Sequence, residues 1–292
     1  ADGKWQVRLD PMGASTTGRT MEVTSGGSSL ARTNVLVGEV WVLSGQSNME
    51  WNLTANGETN AIARANYPWL RTFTIGWPFG TQTQPNVDAY RTSPASDVTA
   101  PGTQWSVISS ANAGHIYTVG FYFAESLRQA LGAGVPIGLI QGAVGSTSGE
   151  CWVGKATRDA DPDLQYIGTE VWPTPPTNPW FVDKYVMYHA LIAPLQPFGI
   201  RGVLWYQGEG NTYQGEPNGG PHVSHYRDLL TGLIEGWRRD WNQGNFPFLL
   251  VQLPKYGATK TAWDSWERVR EAQLQVSQEV PNTGLAITID TG

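Results

Sequence analysis

Short apolar runs, separated by stretches of helical periodicity, dominate the chain from residue 35 onward. The runs lie at residues 35–43, 137–140, 200–206, 248–251 and 285–289. Runs this continuous are typical of strands buried on both faces of a parallel sheet. Between them, apolar residues recur at three- and four-residue spacing in residues 119–131, 185–192, 229–237 and 266–276, which predicts four helices. Strands that alternate with helices predict a parallel sheet covered on both faces.

Two regions depart from this pattern. Residues 1–34 alternate apolar and polar positions at Trp5, Val7 and Leu9 and again at Met21 and Val23, which predicts two or three short β-strands. So few strands are not stable alone, so we interpret this region as the remnant of an accessory β-domain, followed by the main domain at 35–292.

Residues 66–114 are rich in Pro, Thr and Gly and lack periodicity. This stretch predicts an irregular insertion, and such segments often shape binding sites. Its tryptophans Trp69, Trp77 and Trp105 are candidates for lining a sugar site.

Composition narrows the classes of function. The 292 residues carry 19 basic and 25 acidic side chains without a basic patch, which argues against nucleic acid and anionic membranes as partners. No run approaches the length of apolar sequence that spans a membrane. Cys151 is the only cysteine, so an intrachain disulfide is impossible and a cysteine-based metal site is implausible. The 14 tryptophans favour core packing or flat platforms for sugar rings.

The candidate chemistry follows the strands, because ligands of open parallel sheets bind at the carboxyl ends. Ser47 comes after the first strand, where it is either an exposed nucleophile or an ordinary helix cap. The Gly-rich residues 142–147 follow the second strand and form either an oxyanion-binding turn or a simple tight turn. After the third strand, Gln207 and Asn211 offer side-chain amides or plain turn chemistry, and Glu209 lies between two glycines as a candidate structural carboxylate.

These three segments, taken together, resemble a known family. The segment VWVLSGQSNMEW at residues 40–51 is similar to the nucleophile block of sialate O-acetylesterase-like carbohydrate esterases, which belong to the SGNH hydrolase superfamily. The segment WYQGEGN at 205–211 resembles their Trp-x-Gln-Gly-Glu-Ser-Asn block, with Gly210 in place of Ser. The segment GAVGSTSGECW at 142–152 resembles the Gly-Gly-Thr block, with Ser146 in place of the second Gly, and REAQ at 270–273 resembles a further recurrent segment.

The resemblance implies a three-layer α/β/α flavodoxin-like fold and removal of O-acetyl groups from sugars through an acyl-enzyme. It implies that Ser47 is the nucleophile and that the backbone N–H groups of Ser47 and Gly145 bind the oxyanion. Gln207 and Asn211 are both candidates for a side-chain donor, and the sequence does not choose between them.

A serine nucleophile needs a base, and the base needs an acid that orients it. The resemblance implies that both come from an Asp-x-x-His block near the C-terminus. This chain ends two residues after Asp290, so we interpret it as truncated before that block. Of its four histidines, His115 and His189 are typical of cap or core residues. His222 and His225 follow the third block and are the candidates for a substitute base.

The sequence therefore predicts a serine esterase of O-acetylated glycans that uses no metal or other cofactor. Its alternatives are an inactive fragment, a protein whose catalytic His lies on a separate C-terminal segment, and a carbohydrate-binding pseudoenzyme. A secreted or periplasmic location is expected for an enzyme that acts on extracellular glycans.

Overall fold

A computed structural model describes residues 6–75, 104–168, 185–212, 223–256 and 264–290. Within these ranges, the chain forms one large sheet and a separate two-stranded hairpin.

The hairpin consists of β1 (Ser15–Ser25) and β2 (Ser28–Val37), paired antiparallel. Gly26 and Gly27 link them with positive φ angles of 56° and 83°, a conformation that glycine adopts without steric cost. β-structure is thus confirmed for most of the N-terminal region, although Val7 and Leu9 lie outside any strand and Trp5 lies outside the described residues. The hairpin buries little, because Met21, Val23 and Leu30 are all exposed.

The large sheet has seven strands: β3 (Glu39–Gly45), β4 (Asn66–Thr74), β5 (Ser106–Ser109), β6 (Ile137–Ala143), β7 (Gly202–Tyr206), β8 (Phe248–Val251) and β9 (Thr283–Ala286). Their order is β5-β4-β6-β3-β7-β8-β9, and every pair is parallel except β4 with β5. The predicted parallel sheet is confirmed. β3 is central, between β6 and β7, so its carboxyl end opens onto both neighbouring strand ends.

The sequence prediction was wrong about the ends of the presumed insertion, because β4 and β5 lie there. β4 contains Pro68, which breaks the usual pattern of a buried strand, and it is the neighbour of the short edge strand β5. In β4 only Leu70 and Thr72 are buried, and they lie on the same face of the strand. The sequence of β4 therefore lacks the continuous apolar run that predicts a buried strand. The last strand is also shorter than predicted and ends at Ala286.

Six helices accompany the sheet in the described ranges: α1 (Ser47–Glu50), α2 (Thr59–Arg64), α3 (Thr118–Leu131), α4 (Lys155–Ala160), α5 (Tyr226–Trp241) and α6 (Asp264–Glu279). α3, α5 and α6 confirm three of the predicted helices. The fourth is a π-helical turn at Tyr188–Ile192.

Two separate cores lie on the two faces of the sheet. Trp41 and Leu43 of β3 belong to the core that contains α3, whereas Val42 belongs to the core that contains α5 and α6. This alternation buries β3 on both sides and produces the three-layer α/β/α arrangement. Four tryptophans fill the second core, each at most 1% exposed: Trp152, Trp205, Trp237 and Trp241.

Candidate active site

Three turns meet at the carboxyl edge of the sheet. Gly45, the last residue of β3, pairs with Ala143 of β6 on one side and with Tyr206 of β7 on the other. The turns that follow these three residues therefore start at the same level. This placement confirms that the Ser, Gly-rich and amide-bearing turns are neighbours.

The first turn holds Ser47 at the beginning of α1, where it is partly exposed. Gly45 has a φ of +134°, and a Cβ at this position would lie 2.1 Å from the Tyr206 carbonyl oxygen. Only glycine lets the chain turn this close to β7. Trp51, directly after α1, is 49% exposed and donates its backbone N–H to the Ser47 carbonyl oxygen over 2.9 Å.

The second turn brings Gly145 against Ser47. A Cβ at Gly145 would lie 3.5 Å from Ser47 Cβ, so the two residues are neighbours in space. The neighbouring Ser146 is exposed and has a φ of +63°. The Gly145 N–H donates to the Glu50 carboxylate over 2.8 Å. Partial desolvation raises the pKa of the Glu50 carboxyl, and the Gly145 N–H acts in the opposite direction.

In the third turn, the two candidate amides are fully buried and point into the protein. Gln207 Nε2 donates to Gln46 Oε1 at 3.2 Å, to the Thr147 carbonyl at 3.1 Å and to Asn211 Oδ1 at 2.9 Å. Asn211 Nδ2 donates to both oxygens of the Glu150 carboxylate, at 3.2 and 3.0 Å. Either amide would have to give up an internal hydrogen bond to reach an oxyanion, so the geometry favours a structural role for both in this conformation.

Gln46 connects the first turn to the third. Its side-chain Oε1 accepts a hydrogen bond of 2.9 Å from the Gly210 N–H and a longer one of 3.4 Å from the Gly208 N–H. The backbone N–H of Gln46 donates to the Tyr206 carbonyl oxygen over 2.9 Å. Gly210 stands where the family usually has Ser, and a Cβ at this position would lie 2.3 Å from the Thr147 carbonyl oxygen. The second and third turns therefore pack too closely here for any side chain at residue 210.

The REAQ segment supports the third turn from α6. Gln273 Nε2 donates to the Gln207 carbonyl oxygen over 3.0 Å, and Gln273 Oε1 accepts the Leu253 N–H over 3.0 Å. Tyr226, also buried, donates to Gln207 Oε1 over 3.0 Å. The REAQ segment therefore contributes to the site by supporting the third turn.

Glu209 is the unusual group in the third turn. It is 6% exposed, and its Oε1 accepts a short 2.5 Å hydrogen bond from Asn48, the neighbour of Ser47. Its Oε2 is buried and has no hydrogen-bond partner within the described ranges. Burial raises the pKa of the Glu209 carboxyl, because desolvation penalises its charged form.

None of the histidines in the described part of the chain hydrogen-bonds to Ser47. His115 is exposed at the end of a helical turn, and His189 is buried beside Tyr188, as predicted for cap and core residues. His225 stacks on Tyr166 with ring centroids 4.1 Å apart. His222 lies outside the described residues, so its role as a substitute base stays a prediction.

The tryptophans of the presumed insertion do not line this edge. Trp69 precedes Leu70, which pairs with Ile137 at the first position of β6. The Trp105 ring lies 3.1 Å from the position of a Cβ on Gly138, one residue further along. Both rings therefore lie toward the amino edge of the sheet, opposite Ser47, and that expectation was wrong for them. Trp77 lies outside the described residues.

The described ranges contain no group of three or more His, Cys, Asp or Glu side chains arranged to hold a metal ion. No helix there combines the length and apolar character needed to cross a membrane.

Comparison with known families places these blocks in context. A family model described as "carbohydrate esterase, sialic acid-specific acetylesterase" matches residues 37–291. The chain belongs to this family of carbohydrate esterases. The match begins at the end of the hairpin and covers the whole seven-stranded sheet.

Individual relatives agree with this assignment. The chain is 28% identical to mouse sialate O-acetylesterase and 29% identical to the human protein, in each case over 98% of this chain. It covers 57% and 54% of those proteins, so it spans little more than half the length of the curated relatives it matches.

Solved structures give the same picture. A carbohydrate acetylesterase from Xanthomonas citri aligns with 99% of this chain and 58% of its own, at 31% identity and a TM-score of 0.77. A protein from Arabidopsis thaliana, at 17% identity and a TM-score of 0.51, shares the fold alone.

Sequence reasoning missed two contributors to the site. Glu50 and Gln46 both lie inside the nucleophile block, but the local sequence predicts a role for neither. Their position inside a matched block was the only available signal, because hydrogen bonds to residues about 95 and 160 positions away have no local pattern.

Proposed function

We propose that this protein is a serine esterase of the SGNH type that removes O-acetyl groups from carbohydrates through an acyl-enzyme. The observation that supports the proposal is the proximity of Ser47 and Gly145. It puts a partly exposed hydroxyl at the carboxyl edge of the sheet beside Gly145, and we assign the backbone N–H groups of these two residues to the oxyanion. A nucleophile beside oxyanion donors is the arrangement that acyl transfer requires.

In this mechanism, Ser47 Oγ attacks the acetyl carbonyl carbon and a base accepts its proton. The carbonyl oxygen becomes an oxyanion, which accepts hydrogen bonds from the N–H groups of Ser47 and Gly145. When the tetrahedral intermediate collapses, the C–O bond to the sugar breaks and the base returns the proton to the leaving hydroxyl. Water then attacks the acetyl-serine by the same route and releases acetate.

Gln207 and Asn211 serve this reaction by holding the three turns in register. Their amides bridge the second and third turns inside the protein, which fixes Gly145 relative to Ser47. Direct donation to the oxyanion by either amide is the alternative, and it would require that amide to give up one of its internal hydrogen bonds.

Glu209 is suited to orient the base. A buried carboxylate oxygen without a partner is costly unless a donor arrives. An imidazole N–H would satisfy it, and the link through Asn48 ties Glu209 to the Ser47 turn. A histidine supplied by a segment outside this chain would meet that requirement.

Two features support a carbohydrate substrate. The exposed indole of Trp51 lies directly after α1 and offers a flat apolar face for a sugar ring. The relatives from mouse and human carry the name sialate O-acetylesterase, and the Xanthomonas citri protein is titled a carbohydrate acetylesterase. An extracytoplasmic location is part of the same proposal, since most acetylated glycans are extracellular.

The test is acetate release from O-acetylated oligosaccharides and from 4-nitrophenyl acetate, with Ser47→Ala compared with Ser146→Ala. Both substitutions remove one hydroxyl, but only the first removes the nucleophile. We expect Ser47→Ala to lower kcat/KM at least about a thousandfold and Ser146→Ala to lower it less than about threefold. Equal activity in Ser47→Ala and the parent protein would overturn the proposal.

A carbohydrate-binding protein without catalysis is the second candidate. The exposed indole of Trp51 favours it, because this surface would bind a sugar ring with or without hydrolysis. It predicts glycan binding that Ser47→Ala leaves unchanged, with no acetate release from the parent protein. Calorimetric titration with acetylated and deacetylated oligosaccharides, run beside the hydrolysis assay, separates the two functions.

A further inference from the structure

The Glu50 carboxylate accepts a hydrogen bond from the Gly145 N–H, a backbone donor that the proposed reaction needs. The Gly145 N–H donates to Glu50 Oε2 over 2.8 Å, and the same N–H is one of the two donors assigned to the acetyl oxygen. One N–H makes one strong, nearly linear hydrogen bond at a time. The carboxylate and an incoming carbonyl oxygen therefore compete for it.

The carboxylate also lies close to the nucleophile. A single point, the position of a Cβ on Gly145, is 3.3 Å from Glu50 Oε2 and 3.5 Å from Ser47 Cβ. Glu50 and Ser47 thus flank the same glycine. A ligand bound between Ser47 and Gly145 has the Glu50 charge as an immediate neighbour.

The Glu50 charge is not neutralised locally. Within the described ranges, no lysine or arginine pairs with it, and its only hydrogen bond there is the one from Gly145. An anionic ligand that approached the Gly145 N–H would therefore meet an uncompensated negative charge, which repels it.

We propose that Glu50 sets the specificity of this site, because it competes for the Gly145 N–H and its charge selects against anionic ligands. This inference rests on the proposed function, since it takes Gly145 as an oxyanion donor. The substrate class that fits is an acetyl ester with no negative charge beside the scissile carbonyl. An O-acetyl group on an uncharged sugar, or remote from a sugar carboxylate, meets this condition.

The test measures binding of acetate and of acetamide, which have the same shape but differ in charge. Binding is followed at pH 8 by the NMR shift of the Gly145 amide in the parent protein, Glu50→Gln and Glu50→Ala. Glu50→Gln removes the charge but keeps an acceptor for the Gly145 N–H, whereas Glu50→Ala removes both. Glu22→Gln, an exposed site on the hairpin, is the matched control for the change in net charge.

We expect Glu50→Gln to bind acetate about tenfold more tightly than the parent does and to bind acetamide within about twofold of it. We expect Glu50→Ala to bind both ligands more tightly, because the N–H is then open. Unchanged acetate affinity in Glu50→Gln would overturn selection by charge, and unchanged acetamide affinity in Glu50→Ala would overturn the competition. Absence of any Gly145 shift up to 0.5 M of either ligand (roughly the weakest binding worth measuring) would overturn both.

The readout is independent of catalysis. If Ser47→Ala abolishes hydrolysis while the Glu50 variants bind both ligands like the parent, only this inference fails. If Ser47→Ala leaves hydrolysis intact, the proposed function fails whatever the Glu50 variants do.

Discussion

At the scale of single residues, the site is built from polar groups that the protein buries at a cost. Glu209 keeps one carboxylate oxygen buried without a partner in the described ranges, next to the turn that carries Ser47. Natural proteins usually satisfy such atoms, and exceptions concentrate where function needs them. The unpaired oxygen of Glu209 therefore carries a cost in folding free energy that stability measurements can detect.

Glu209→Gln should stabilise the protein at pH 8 by about 1 kcal/mol and abolish any activity that depends on the carboxylate. The folded-state pKa of Glu209 is raised, so folding favours its protonated form. The penalty of the charged form is therefore present above the folded pKa and disappears as the pH falls below the ordinary value of 4.5. Urea unfolding at pH 8 and near pH 4 checks this.

The exposed Glu235 on α5 supplies the control for that experiment, since Glu235→Gln makes the same change in charge. Its effect should stay within about 0.5 kcal/mol at both pH values. A loss of stability in Glu209→Gln at pH 8 would show that the carboxylate has a stabilising partner.

At the scale of elements, the turn between β3 and α1 depends on its close approach to β7. Gly45 combines a left-handed φ with a Cβ position that would overlap the Tyr206 carbonyl. Gln46 then ties the same turn to the backbone of the third block. Ser47 is held by the neighbouring strand β7 as much as by its own helix, which is only four residues long.

Gly45→Ala should therefore cost more than about 3 kcal/mol of unfolding free energy, because it meets both backbone strain and a backbone clash. Gly132→Ala, after α3, is the matched control: its φ is +87° but nothing lies within 4 Å of its Cβ position. We expect it to cost about 1 kcal/mol. Equal losses in urea unfolding would show that the clash relaxes freely.

At the scale of the whole molecule, the described chain divides into a sheet with two cores and a hairpin that belongs to neither. The hairpin leaves its apolar side chains exposed, so it contributes little burial to the stability of the sheet. Its described anchor is Asn34, which accepts hydrogen bonds from Arg71 of β4 through its backbone and side-chain oxygens.

Removal of residues 1–33, which keeps Asn34, should shift the thermal midpoint by less than about 2 °C and leave one cooperative transition. Differential scanning calorimetry of the shortened and full chains measures this directly. A large drop in the midpoint, or a broad transition, would mean that the hairpin is part of the folding unit.

Local patterns predicted the fold well because they report burial. The apolar run of β3 reflects a strand that is buried on both faces. The spacing of Leu229, Leu233 and Trp237 in α5 reflects a helix that buries one face. β4 escaped prediction because Pro68 and a mixed composition weaken its pattern near the sheet edge. The tryptophans Trp69 and Trp105 were misplaced for a related reason: composition does not say at which edge of a sheet a ring lies.

The sequence by itself determined the parallel sheet, the order of the three blocks and the family, because each depends on residues close together in the chain. It also determined that Ser47 and Gly145 belong to one edge, since parallel strands put their carboxyl ends side by side. Only the tertiary structure decided the direction of the amides of Gln207 and Asn211, the orphaned oxygen of Glu209 and the contact between Glu50 and Gly145. These features depend on groups far apart in sequence, and tertiary packing decides which donor meets which acceptor.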